Sequence, residues 1–152
     1  MSLQSVRQYL ADNAPDIDIL ELKKPAITTA QAAEAWHVAP GQLAKTLPLE
    51  VENNVVLIVA RGDVRLDNEK LKQTFKSRAR MLSSDEVLLW TGHPAGGVCP
   101  FGLENPLAVY CDVSLRDFPE VLPAAGAVHS AVRISPERLA ELTAAQWVDV
   151  CQ

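Results

Sequence analysis

No run in this 152-residue chain comes near the ~20 consecutive apolar residues that a membrane-crossing helix requires, so no membrane partner is expected. The opening residues, Met1 to Arg7, lack the basic-then-apolar order of a secretory signal. Cysteine is sparse and odd in number. Cys99, Cys111 and Cys151 stand far apart, which argues for reduced thiols in a cytoplasmic setting and against a disulfide framework or a zinc site. Neither of the usual glycine-rich phosphate-loop signatures is present, nor any internal repeat, low-complexity tract or linker. No Ser-His-Asp order stands out, and no cysteine neighbours a convincing base. What remains is a single domain over residues 1–152, large enough for a proper core. Its 48% hydrophobic and 22% charged residues are those of an ordinary globular protein.

The formal charge of −5 argues against a protein that wraps nucleic acid broadly. The charge is unevenly spread. Residues 61–80 hold Arg61, Arg65, Lys70, Lys72, Lys76, Arg78 and Arg80 against Asp63, Asp67 and Glu69, a net +4 on a remainder of −9. Such a stretch is either a solvated helix face or a small basic surface able to meet a phosphate backbone.

The stretch from Thr91 to Gly102 holds four of the seven glycines and two of the ten prolines. Glycine lets the backbone come close to a ligand, while proline fixes φ and removes a donor. The pattern predicts a loop held in one shape, with free N–H groups at Gly96 and Gly97 able to bind a carbonyl oxygen or an anion. An ordinary surface loop is the alternative.

Periodicity predicts a helix over 2–13 with Leu3, Val6 and Leu10 on one face, then a short strand over 17–22. Thr28 and Gln31 have capping-box spacing, which starts a helix running to about His37. A strand follows over 43–51, a turn at Asn53-Asn54 and a buried strand over 55–60, making a hairpin. A basic helix spans 68–75, with a short strand over 78–82 after it. Ser83 and Glu86 start another helix. Strands are expected over 107–112 and 127–134, a turn or short helix over 115–121, a helix after Ser135-Pro136, and an apolar terminal segment over 147–151. Strands and helices interleave, yet hairpins interrupt any regular βαβ series. The fold class is therefore α/β of the α+β type: a mixed, curled or barrel-like sheet with helices outside.

Lys45 falls on the same side of its strand as Leu43, Leu47, Leu49 and Val51. An ammonium on an apolar face is costly unless paired. It either snorkels to water at the strand mouth or projects into a pocket to meet an anion or a polar substrate group. Asp63 either orients Lys45 or caps the following helix.

The segments Ala44-Lys45-Thr46-Leu47, Ala60-Arg61-Gly62-Asp63, Thr91-Gly92-His93 and Gly96-Gly97-Val98-Cys99-Pro100-Phe101-Gly102 occur in this order and spacing. In them the chain resembles the YbaK and prolyl-tRNA synthetase-associated editing domains, from about residue 15 to the C-terminus. The resemblance implies a trans-acting aminoacyl-tRNA deacylase that needs no metal or cofactor. Its substrate is the acceptor end of a mischarged tRNA, tRNA-Pro among the candidates, and an aminoacyl-tRNA synthetase is a further candidate partner. The family lysine maps onto Lys45 and the glycine loop onto Gly96–Pro100, which makes Lys45, Gly96 and Gly97 the expected catalytic groups. The expected substrate contacts are Thr46, Asp63, Gly92, His93, Val98, Pro100, Phe101 and His129. Excluding larger side chains is the effective route to selectivity, so a small acyl group is expected: alanine, serine, threonine or cysteine. Two rivals stand beside this: Cys99 as a nucleophile activated by His93, and a non-catalytic module that binds an aminoacyl or nucleotide end.

Overall fold

The hairpin β2 (Leu43–Val51) and β3 (Asn54–Arg61) is the centre of the molecule. β3 is apolar from Val55 to Ala60 and buried along that whole length, as a strand covered on both faces must be. The turn falls one residue earlier than predicted, at Glu52 and Asn53. Both take positive φ (50° and 67°), the conformation that matches the twist of a two-residue hairpin. These strands belong to a computed structural model that describes residues 2–23, 29–127 and 129–152.

Around the hairpin lies a mixed six-stranded sheet of order β4-β2-β3-β5-β8, with β6 also paired to β2. The added strands are β4 (Ala79–Met81), β5 (Ala108–Asp112), β6 (Leu122–Pro123) and β8 (Gln146–Val148). β2 runs antiparallel to β3 and β4 and parallel to β6. β3–β5 and β5–β8 are parallel. A second sheet pairs β1 (Ile19–Glu21) with β7 (Ser130–Val132). The mixed sheet with helices outside is the expected class, but it is not closed into a barrel, since β8 does not pair back to β4 among the described residues. β6 and β8 were not predicted as strands. Each is two or three residues long, too short to carry a period of its own.

Helices form where local signals ask for them. α1 (Ser2–Asn13) buries Val6 and Leu10. α2 spans Thr29–Trp36, and its expected cap at Thr28 lies outside the described residues. α3 (Asn68–Phe75) is capped by Asp67, whose carboxylate accepts from the N–H groups of Glu69 and Lys70, so the capping role weighed for Asp63 belongs to Asp67. α4 (Ser84–Thr91) opens with the Ser83–Glu86 capping box. α5 (Pro136–Thr143) is capped by Ser135 with proline at the first turn.

The sheet divides the interior in two. On one face Ala44, Leu57, Val59 and Cys111 pack with Val6 and Leu10 of α1, Leu139 of α5, and Cys99 and Phe101 of the glycine loop. On the other, Leu49, Val51, Val56, Ile58 and Ala60 pack with Leu71 of α3 and with Val150 and Cys151. Burying each such Leu, Ile or Val side chain is worth roughly 1.5–3 kcal/mol. This division matters for function, because neighbouring residues of β2 look into different cores.

Candidate functional site

β2 is paired with β3 from Ala44 to Val51, but on its other edge only at the ends. Leu43 and Ala44 pair with β6, and Leu49 to Val51 pair with β4. Between them, Lys45 to Pro48 carry no strand partner on that edge among the described residues. Pro48, which has no N–H to offer, suits such an edge. The unpaired stretch is where an extended ligand could reach the backbone of the central hairpin.

Lys45 and Thr46 present opposite faces at this opening. Lys45 pairs with Ala60, so its side chain lies on the α3 side of the sheet. There its ammonium donates to the carbonyl oxygen of Val64. The expectation of a lysine on an apolar face holds, and a backbone carbonyl satisfies it. Thr46 pairs with Val59 and faces the other core. Its hydroxyl is buried and, among the described residues, has no hydrogen-bond partner. A buried unsatisfied polar group is rare and costly.

The loop that receives Lys45 is stiffened by Arg61. Its guanidinium grips Asp63 at 2.8 and 2.6 Å and Asp117 at 2.7 Å, and lies over the Phe118 ring. The hydrogen bonds from Arg61 hold the Asp63 carboxyl below its ordinary range, and the charge of Lys45 adds only the smallest share. Asp63 therefore serves Arg61 first and Lys45 indirectly, through the Val64 carbonyl one residue on.

The glycine loop is pinned from beneath. His93 is wholly buried, with Nε2 2.6 Å from the Phe101 carbonyl oxygen. Burial depresses its pKa, so the ring is neutral near pH 7; Nε2 donates to Phe101, and Nδ1 has no partner among the described residues. Phe101 is buried against Tyr9, with ring centroids 6.0 Å apart. Pro100 and Val98 are buried as well. These four expected substrate contacts are buried, and they hold the loop from inside the core. Gly92, at φ 78°, is the left-handed cap that ends α4, and its amide donates to Leu88, so it too shapes the loop.

Cys99 lies 3.7 Å from His93 Nε2, but that nitrogen already gives its proton to Phe101. Burial pushes the thiol up to about 12. A thiol so protonated near neutral pH is inert, and Cys99 is a core residue.

At the tip, Ala95–Gly97 form one 3₁₀ turn. The Gly97 amide donates to Pro94 O at 2.9 Å, so the expected pair of free amides is not present as such. Gly97 is buried and Gly96 exposed. The Gly97 carbonyl accepts from the amide of Gly126 at 3.0 Å. Gly126 comes three residues after Pro123, the partner of Ala44. A Cβ on Gly97 would stand 2.6 Å from the Ala127 amide nitrogen, so this crossing admits only glycine. His129 is two residues further on, half-buried, with its ring 3.6 Å from the Glu21 carboxylate.

The structure thus joins Gly97, Gly126, Ala127 and, along the chain, His129 on one side, and Lys45, Val64, Asp63 and Arg61 on the other. Lys45 lies on the α3 face of the sheet and the glycine loop packs on the other, with β2 between them. The Val64 carbonyl and the Arg61 clamp had no sequence signal beyond Arg61-Gly62-Asp63 at a strand end. Among the described residues no three of His, Cys, Asp and Glu cluster so as to hold a metal, and no helix is long and apolar enough to cross a membrane.

Residues 23–142 match the family described as aminoacyl-tRNA editing domain, and the chain belongs to that family. Uncharacterized protein YwhH of Bacillus subtilis (strain 168) is 46% identical, covering 100% of this chain and 98% of its own length. A proline–tRNA ligase of Kosmotoga olearia is 31% identical over 113 residues. The match covers 70% of this chain and only 19% of the ligase. Among solved structures, a protein provisionally described as a trans-editing enzyme for prolyl tRNA synthetase superposes with a TM-score of 0.93 at 32% identity, covering 99% of this chain and 97% of that one. The hypothetical protein APE2540 does so with a TM-score of 0.90 at 28% identity, covering 97% and 99%. The chain is an aminoacyl-tRNA editing domain related to the trans-editing proteins of prolyl-tRNA synthetase and to the editing region of that synthetase.

Proposed function

We propose that this protein is a cytoplasmic, trans-acting deacylase that hydrolyses the ester joining a small mischarged amino acid to the terminal adenosine of a tRNA. The candidate amino acids are alanine, serine, threonine and cysteine, and tRNA-Pro is the first tRNA to try. The observation that carries the reading is the opening over Lys45–Pro48, with an ammonium on one face and a buried, unpaired Thr46 hydroxyl on the other. A buried hydroxyl with no partner among the described residues has a hydrogen bond to offer a ligand.

In this reading a water oxygen adds to the ester carbonyl carbon. The bond from that carbon to the ribose oxygen then breaks, and the ribose oxygen takes up a proton. The products are the free amino acid and the tRNA 3′ end. The vicinal ribose hydroxyl assists, and the ester is already activated, so the reading calls on no metal. Lys45 exchanges the Val64 carbonyl for the terminal phosphate or the ester end and orients it. The exposed Gly96 amide is the available donor for the oxyanion. Gly97 joins it only if its bond to Pro94 opens. One such donor is worth roughly 2.7–4 kcal/mol in the transition state. Thr46 meets the acyl group, His129 stands at the rim, and Asp63 positions Lys45 through the Arg61–Val64 loop. A synthetase is the partner expected to bring the tRNA.

The engaged Gly97 amide favours a second reading, a module that binds the aminoacyl end without turnover. Single-turnover hydrolysis of a panel of mischarged tRNAs, wild type beside Lys45→Ala, separates the two. The deacylase reading expects cleavage of at least one small-amino-acid ester and a large loss in the variant. Saturable binding with no turnover favours the module, and a rate indifferent to Lys45→Ala rejects the assignment of Lys45.

A further inference from the structure

Seven cations crowd residues 61–80, and the structure sorts them. Arg61 is neutralised by Asp63 and Asp117, Lys70 by Asp149, and Arg80 by Glu50 and Glu86. Arg65, Lys72, Lys76 and Arg78 are exposed and, among the described residues, make no ion pair; Arg65 stands ahead of α3, apart from the other three. Lys72 and Lys76 stand one helical turn apart at the end of α3, where like charges repel. A helix C-terminus welcomes cations, which accounts for those two. It does not account for Arg78, which lies beyond the helix, one residue before β4. Nor does it account for a cavity of about 350 Å³ that Lys72 and Arg78 line together with Asn68, Ser77 and Glu69, two cations against one carboxylate. On a protein of net charge −5 this is a local, unneutralised positive surface.

Its position relates it to the opening in β2. α3 packs through Leu71 and Phe75 onto the face of the sheet where the Lys45 side chain lies. Ala79 pairs with Val51, six residues along β2 from Lys45. That is about 20 Å at ~3.3 Å per residue, a span of about six stacked nucleotides at ~3.4 Å each. We infer that Lys72, Lys76 and Arg78 form a second RNA contact, which holds the phosphodiester backbone of the strand whose 3′ end reaches Lys45. The contact deepens the proposed function and rests on it for the identity of the RNA. It reads charge and spacing, not bases, because flexible lysines and a lone arginine on an open surface neutralise phosphates without presenting a base-reading edge.

The test titrates a tRNA transcript against the protein from about 50 to 200 mM salt, where phosphate contacts are read by the slope of log affinity against log salt. Wild type is compared with a Lys72→Ala, Lys76→Ala, Arg78→Ala variant. A control carrying Arg7→Ala, Arg116→Ala and Arg138→Ala removes the same charge elsewhere. Thermal melts establish that all three are folded, and the single substitutions serve if a triple variant is not. Expected are at least tenfold weaker binding at low salt and a slope shallower by about 0.9 per lost phosphate contact in the first variant, with little change in the control. Hydrolysis of a free aminoacyl-adenosine, too short to reach α3, is expected to stay at the wild-type rate. An unchanged slope, an equal loss in the control, or a matching loss on aminoacyl-adenosine overturns the inference. If wild type cleaves no ester yet the slope depends on these three residues, the deacylase reading fails and the RNA contact stands.

Discussion

Thr46 and Lys45 are adjacent in sequence, yet their polar atoms meet opposite fates. The lysine ammonium is satisfied by the Val64 carbonyl, while the threonine hydroxyl is buried with no partner among the described residues. Leaving such a group unmade costs about 1–3 kcal/mol. Valine has nearly the same shape without the hydroxyl, so Thr46→Val is expected to stabilise the free protein. At this chain length a gain of ~1 kcal/mol raises Tm by about 2–4 °C. The same change is expected to lower the deacylation rate, since it removes the hydroxyl proposed to meet the acyl group. Calorimetry and single-turnover kinetics on one preparation check both halves. A fall in Tm would show that the hydroxyl already has a partner.

At the scale of elements, the glycine loop is a strap laid over the first core. Buried His93, Pro100 and Phe101 set its height, and the Gly126→Gly97 bond ties it to the segment after β6. The atoms nearest a Cβ on Gly97 are all backbone of Gly126 and Ala127, which cannot rotate away as a side chain can. Gly97→Ala is expected to cost about 1–3 kcal/mol, the usual penalty of overpacking, and to displace the tip from the opening. Its exposed neighbour offers the control: Gly96→Ala is expected within about ±0.5 kcal/mol of wild type in stability. Denaturant unfolding of the two variants decides the matter, and equal costs would mean that the strap is not seated as described. At this scale the patterning of the sequence was a good guide to α3, α4, α5 and the hairpin. Each carries its own signal: a cap, a period or a turn.

The molecule as a whole is squeezed by pH from both sides, and the signs follow from the groups involved. Arg80 holds the Glu86 carboxyl near 2, and Arg138 does the same for Asp16. A carboxyl depressed on folding contributes stability that is present above its ordinary value and lost as pH falls toward 2. Burial raises the thiols of Cys99, Cys111 and Cys151 to about 12 from an ordinary 9.0. Their contribution is complete below pH 9 and is lost as pH rises from 9 toward 12. For the core thiol Cys99 the slope approaches about 1.4 kcal/mol per pH unit. Thermal melts between pH 3 and 11 are expected to give a plateau from about 7 to 9, with a fall above it through the thiols and a fall below it through His93, whose pKa burial lowers, and then through the carboxyls. Cys99→Ala is expected to lower the plateau, through the cavity it leaves, while making the alkaline limb shallower. An alkaline limb of unchanged steepness would contradict the buried, protonated thiol.

Sequence alone determined what depends on neighbours along the chain. The face of β2 on which Lys45 falls follows from a period of two, the starts of α4 and α5 from capping residues, and membership of the editing family from four short motifs in order. Tertiary structure alone decided what depends on chain segments far apart. β6 and β8 are strands only because β2 and β5 offer them edges. Nothing local says that the carbonyl of Val64, nineteen residues on, receives the Lys45 ammonium, that the Gly97 amide is already taken by Pro94, or that Phe101 points into the core. Hydrogen-bond partners and burial are properties of a folded neighbourhood, and a backbone carbonyl leaves no mark in the residue letters that carry it.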